Sequence, residues 1–140
     1  MGTQATGTFV VKLTPQPQAE GVGDPSVGRM SIDKQFRGDL EAAGKGEMLA
    51  AGTAVKGSAG YVAIERVTGS LHGREGGFVL QHTGTMTRGL PRLRVSVVPD
   101  SGTGGLAGLA GTMTIEVAGG THSYVFDYPL AEPVDSSGAG

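Results

Sequence analysis

Cysteine, tryptophan and asparagine are absent from the 140 residues, and aromatic residues make up only 5%. Without cysteine there is no disulfide framework, no thiolate metal site and no cysteine nucleophile. An excess of one charge sign is lacking too. With 11 Lys and Arg against 13 Asp and Glu, the formal net charge is −2. That balance leaves no electrostatic footprint for nucleic acid or an anionic membrane, so neither is expected as a partner. No apolar run approaches the roughly 18 residues of a membrane helix. The opening Met1-Gly2-Thr3-Gln4 lacks the basic-then-apolar pattern of a secretion leader. The expectation is one cytoplasmic domain over residues 1–130, with a flexible tail over 131–140.

What is abundant is glycine, at 26 residues. Helix signals are correspondingly poor. The best helical stretch, Asp39 to Ala51, has helix-favouring residues but is interrupted by Gly44 and Gly46, each costing up to about 1 kcal/mol relative to Ala. Elsewhere short alternating runs rich in Val, Thr and aromatics are bounded by Gly, Pro, Asp or Ser. Strands are expected over Thr6–Leu13, Arg29–Phe36, Lys45–Ala51, Tyr61–His72, Gly77–Met86, Pro91–Val98, Thr112–Val117 and Thr121–Leu130. Gly73-Arg74-Glu75-Gly76 and Ala118-Gly119-Gly120 suit hairpin turns, because glycine accepts positive φ. Most connections are too short for a crossover helix, so the sheet is antiparallel. An all-β, eight-stranded up-and-down barrel meets these constraints and removes exposed edges; a two-sheet sandwich is the alternative.

Period two sorts the side chains into faces. Met30, Ile32, Lys34 and Phe36 share one face, as do Phe78, Leu80, His82, Gly84 and Met86. Leu93, Val95 and Val97 form a third inward set, and His122, Tyr124, Phe126 and Tyr128 a fourth. In Tyr61–His72 the set containing Tyr61, Glu65, Val67 and Leu71 is the better inward choice; a bulge would bring in Arg66 instead. The interior then carries Lys34, Tyr61, Glu65, His82, Tyr124 and Tyr128. A dry core does not accept so many polar groups unless they are paired, hydrated or lining a pocket. Val62, Ile64 and Val79 would face outward, an apolar patch for a homodimer or higher homo-oligomer.

Familiar site motifs fail their context. Gly102-Thr103-Gly104-Gly105-Leu106-Ala107 imitates a dinucleotide fingerprint but leads into a strand rather than a helix. Gly44-Lys45 is followed by Gly46, so it is no P-loop. His72, His82 and His122 lie in separate strands without metal-ligand spacing. No metal and no cofactor are expected.

Several strings resemble a bacterial family known only as a domain of unknown function. They include Gly28-Arg29-Met30-Ser31-Ile32-Asp33-Lys34-Gln35-Phe36, Gly57-Ser58-Ala59-Gly60-Tyr61-Val62-Ala63-Ile64-Glu65 and Gly77-Phe78-Val79-Leu80-Gln81-His82-Thr83-Gly84-Thr85-Met86. Val97-Val98-Pro99-Asp100-Ser101-Gly102-Thr103-Gly104 and His122-Ser123-Tyr124-Val125-Phe126-Asp127-Tyr128 continue the likeness, which runs from about Thr6 to Leu130. The resemblance implies an eight-stranded barrel similar to allene oxide cyclases and dirigent proteins, which steer reactions of apolar small molecules. Their site motifs do not map onto this sequence.

Three functions follow as expectations. The first is a barrel binding an apolar small molecule with polar groups. Phe36, Phe78 and Met86 would serve as walls, and Lys34, Tyr61, Tyr124 and Tyr128 would orient the ligand. The second is a cofactor-independent isomerase, cyclase or lyase, with Glu65 as general acid or base and His82 as its proton partner. The third is a structural or interaction protein in which Lys34 and Glu65 are simply paired.

Overall fold

The computed structural model describes residues 2–129. Leu130 and the tail expected over 131–140 lie outside the described residues. Among the described residues nine strands are present: β1 (Gly2–Pro15), β2 (Gly28–Gly38), β3 (Leu40–Gly52), β4 (Ala59–Leu71), β5 (Arg74–Thr87), β6 (Leu90–Val97), β7 (Thr103–Gly104), β8 (Thr112–Ala118) and β9 (Thr121–Pro129). Among the described residues there is no helix, and hence none long and apolar enough to cross a membrane.

Eight of these strands close into an antiparallel ring in the order β1-β2-β3-β4-β5-β6-β8-β9, with β9 pairing back onto β1. The expected barrel is therefore the fold. The two-residue β7 lies beside β5 outside this ring, at Gly76 and Gly77.

The helix-like stretch from Asp39 is a strand from Leu40 onward. Its helical composition is overridden by alternation: Leu40, Ala42, Gly44, Gly46, Met48 and Ala50 share one face, while Glu41, Lys45 and Glu47 share the other. Small residues on the inner face let neighbouring strands send larger side chains across, a tertiary demand that outweighs propensity. The turn expected over Gly73–Gly76 is tighter. Its central residues are His72 and Gly73, at φ 48° and 80°, and β5 resumes at Arg74. Arg88-Gly89 and Gly119-Gly120 turn the same way. Positive φ at both centres matches the twist of the flanking strands, which is why such two-residue hairpins recur.

The inward faces are those expected from alternation. In β4, Ala63, Glu65, Val67 and Leu71 are buried, whereas Arg66 points out. The ring is nevertheless uneven. Most neighbours pair over seven or more residues, but β6 and β8 pair only at Val95–Met113 and Ser96–Thr112. Toward the start of β6 and the end of β8 this ladder does not continue.

The segment between β6 and β8 explains the Gly-rich string that mimicked a dinucleotide motif. It folds under one end of the barrel and inserts Leu106 and Leu109, both buried. Hydrogen bonds hold it to β5: Gly77 N donates to Thr103 Oγ1 at 3.1 Å, Val79 N to Ser101 Oγ at 3.0 Å, and Gly105 N to Glu75 O at 2.7 Å. Phe36, Phe78, Phe126, Leu40, Leu71 and Tyr124 pack above this plug, each at most 1% exposed. The opposite end is open.

Candidate functional site

The open half of the barrel encloses a cavity of about 450 Å³. Its walls are mainly aliphatic, including Val11, Ile32, Met48, Ala63 and Ile115, with the rings of Phe9 and Tyr61. Pro91, Arg92 and Leu93 of β6 and Ile115 and Val117 of β8 also line it. These residues flank the stretch where the β6–β8 ladder is unmade.

Two polar residues meet the cavity deep inside, Lys34 from β2 and His82 from β5, each 5% exposed. Both are held by Glu65 of β4, which is fully buried. Lys34 Nζ donates to Glu65 Oε1 at 2.8 Å, and His82 Nε2 lies 2.6 Å from the same oxygen. The Lys34 ammonium also sits over the Phe9 and Phe36 rings, 4.7 and 5.3 Å from their centroids. Aromatic faces favour a cation, which offsets part of its loss of water.

Burial pushes the Glu65 carboxyl up. The hydrogen bond from His82 and the charge of Lys34 outweigh that push and hold it below the usual carboxylate range. An ionised carboxylate only accepts, so His82 Nε2 carries the proton in this pair. The tautomer follows from that hydrogen bond.

Glycines make the arrangement sterically possible. Glu65 Oε2 lies against Gly44 of β3, where a Cβ would approach to 2.4 Å. This Oε2 is buried without a hydrogen-bond partner among the described residues. Tyr61 lies flat over its cross-strand partner Gly84, where a Cβ would meet the ring at 2.3 Å. Burial pushes the Tyr61 phenol up, so it stays protonated and neutral through the physiological range.

The expected site residues divide between the two ends. Lys34, His82, Tyr61 and Met86 line the cavity, and Glu65 stands directly behind Lys34 and His82. Phe36, Phe78, Tyr124 and Tyr128, also expected in the ligand wall, do not line this cavity: they lie in the packed half. Tyr124 rests on its cross-strand partner Gly7. Its hydroxyl accepts from Leu40 N at 2.9 Å and donates to Arg37 O at 3.0 Å, so it is already satisfied. The Tyr128 hydroxyl is bonded to His72 Nδ1. Phe36 touches the site only from behind, through its ring beneath Lys34. Alternation gave the correct face for all four but carried no information about height along the barrel.

Phe9, Arg92 and His122 line the cavity and were absent from the expected site. His122 was legible as inward from its period with Tyr124 and Phe126; its ring lies 5.0 Å from that of Phe9. A second hollow, of about 900 Å³, lies on the outer face of β3–β5, bordered by Arg29, Lys45, Glu47 and Arg66. These are solvated side chains with no buried polar group among them. Among the described residues no cluster of three His, Asp or Glu side chains is placed to hold a metal ion.

Residues 5–128 match the model of a family described as a protein of unknown function, DUF3224. The chain belongs to the DUF3224 family. A crystal structure of a DUF3224 protein with unknown function, from Shewanella oneidensis MR-1, is similar throughout: 56% identity, 95% of this chain and 99% of that chain covered, and a TM-score of 0.86. No curated protein matches the chain.

Proposed function

We propose that this DUF3224 barrel binds an apolar small molecule in its open half and orients it through one oxygen acceptor directed at Lys34. The observation that carries this reading is the pairing of a mainly aliphatic cavity of about 450 Å³ with Lys34 and His82 deep within it. A few convergent polar groups in an apolar concavity are the common form of a small-molecule site. A purely structural Lys34–Glu65 pair accounts for neither the cavity beside it nor the exposed apolar wall residues. The likeness to allene oxide cyclases and dirigent proteins supports an apolar ligand by analogy of fold alone.

Native mass spectrometry of protein purified from its own host, before and after denaturation, tests the reading. A small molecule released in proportion to protein is the expected result. In parallel, apolar ketones are titrated while Tm is followed. A ligand at 100 times its Kd raises stability by about 2.7 kcal/mol. A protein that carries no small molecule and is stabilised by no ketone would sink the proposal.

Self-association is a separate proposal. Leu49, Val62 and Ile64 on the outer face of β3 and β4 are 46%, 51% and 50% exposed. Adjacent apolar side chains at that exposure favour an isologous contact with a second copy. A monomeric sedimentation profile at micromolar concentration argues against it.

A further inference from the structure

We propose that His82 Nδ1 is a general base that removes a proton from the carbon next to the carbonyl of an apolar ketone, while Lys34 binds the ketone oxygen. This inference rests on the binding reading above and adds a reaction to it. The sequence alone placed the proton transfer on Glu65. The geometry reverses the roles, because Glu65 is sealed behind the cavity and His82 faces it.

Three observations converge. First, Nε2 of His82 is committed to Glu65, so the neutral ring carries its lone pair on Nδ1. Nδ1 has no hydrogen-bond partner among the described residues, yet it is not among the buried atoms left unpaired. It is therefore reachable from the cavity that the ring lines. Second, a carboxylate behind an imidazole fixes the tautomer and offsets the charge that appears when the ring gains a proton. Glu65 Oε1 stands at that position, 2.6 Å from Nε2. Third, Lys34 Nζ bonds the same oxygen at 2.8 Å. Base and ammonium are thus tied to one atom and to one end of one cavity. One N–H of the ammonium is used by Glu65, leaving others for a ligand oxygen.

The step balances without a cofactor. The carbon–hydrogen bond breaks and its proton passes to Nδ1. Its electron pair becomes a carbon–carbon double bond, and the carbonyl π pair moves onto oxygen. The enolate oxygen rests on the Lys34 ammonium, a preformed cation at the atom where charge develops. The imidazolium then returns its proton to the same carbon, or to the far carbon of a conjugated system, which completes an isomerisation. Glu65 is a positioning residue: it touches no substrate and acts through His82 and Lys34. The aliphatic walls select an apolar ketone or enone.

The experiment uses the full chain and a panel of 2-tetralone, 1-indanone and β-ionone in deuterated buffer. Nuclear magnetic resonance follows both binding and loss of the α-proton signal. The expected result is faster exchange of at least one ketone than in buffer alone. His82→Gln should lower that rate about 100-fold while the ketone still binds. Lys34→Met should lower it by a similar factor, chiefly in kcat. Binding without accelerated exchange in any ketone overturns the inference and leaves the binding reading intact. No binding by any of the three overturns the inference, and together with no small molecule released from the native protein it overturns the binding reading as well. If His82→Gln does not fold, nitrogen NMR of histidine-labelled wild-type protein decides instead. A protonated Nε2 and a bare Nδ1 support the assignment, and a proton on Nδ1 of the neutral ring overturns it.

Discussion

The two halves of the barrel share the same strands but solve opposite problems. In the packed half Phe36, Phe78, Phe126, Tyr124 and Tyr128 fill the lumen, and the β6–β8 segment seals it with Leu106 and Leu109. Phe78 and Phe126 stack at 5.8 Å, and Phe36 meets Tyr124 edge-on at 5.7 Å. The open half has only Phe9 and Tyr61 as aromatics, and Leu13, Met86 and Leu93 remain 42%, 44% and 42% exposed. Lining a wall with apolar residues and leaving them partly wet forgoes roughly 25 cal/mol for each Å² not buried. The difference indicates that one end supplies most of the stability; on the function proposed above, the other keeps its surface for a ligand. Lys34, Glu65 and His82 sit at the boundary.

That division can be broken from either side, and the largest effects belong to its packed half and its boundary. Phe126→Ala should cost about 3–5 kcal/mol, the usual range for emptying an aromatic site in a core. Urea denaturation measures it, and a loss below 1 kcal/mol would show that the packed end is not the stabilising one. Glu65→Gln should cost a similar amount, about 3–5 kcal/mol, because Lys34 is left buried without its counter-charge. Adding Lys34→Met to that variant should recover most of the loss; a double variant as unstable as the single would show that the pair is not what is being broken.

Acid should act at the same boundary. The Glu65 carboxyl is held below its ordinary value of 4.5 in the folded chain. A depressed folded value means that the carboxylate stabilises the fold above pH 4.5 and that this contribution is lost as pH falls through the folded value. Urea midpoints in Glu65→Gln/Lys34→Met should therefore fall less over that acid window than in the wild type. Parallel profiles would remove Glu65 from the acid response.

Smaller effects sharpen the comparison. Gly44→Ala should cost about 1–3 kcal/mol, since its Cβ has to displace Glu65 Oε2 within a packed wall. Denaturation of that variant, read beside ketone binding, checks whether the ion pair and the cavity shift together. At the rim, Leu90 is 74% exposed, and Leu90→Ser should change stability by no more than about 0.5 kcal/mol. A larger loss would mean that the open end carries structural weight after all.

Much of this was legible beforehand for a simple reason. Alternation is a local property, so the burial of Lys34, Glu65 and His82 could be read strand by strand. The strand expected from Lys45 begins at Leu40; helical composition hid its first half because Gly44 and Gly46 answer to Glu65 and to the β4 backbone, which are distant in sequence. The turn at His72-Gly73 was misplaced by two residues because several nearby glycines offered the same local signal. Tyr124 and Tyr128 face inward as alternation predicts, but alternation carries no height along the barrel, and both stand outside the cavity.

The sequence by itself determined an antiparallel barrel and the set of side chains inside it, since period-two patterning and glycine-bounded turns depend only on near neighbours. Tertiary structure alone decided which inward residues share a height, that Glu65 holds Lys34 and His82 with one oxygen, and that one half is plugged while the other is open. Those features depend on strand register and on how the β6–β8 segment folds under the barrel, and both are set by contacts between residues far apart in the chain.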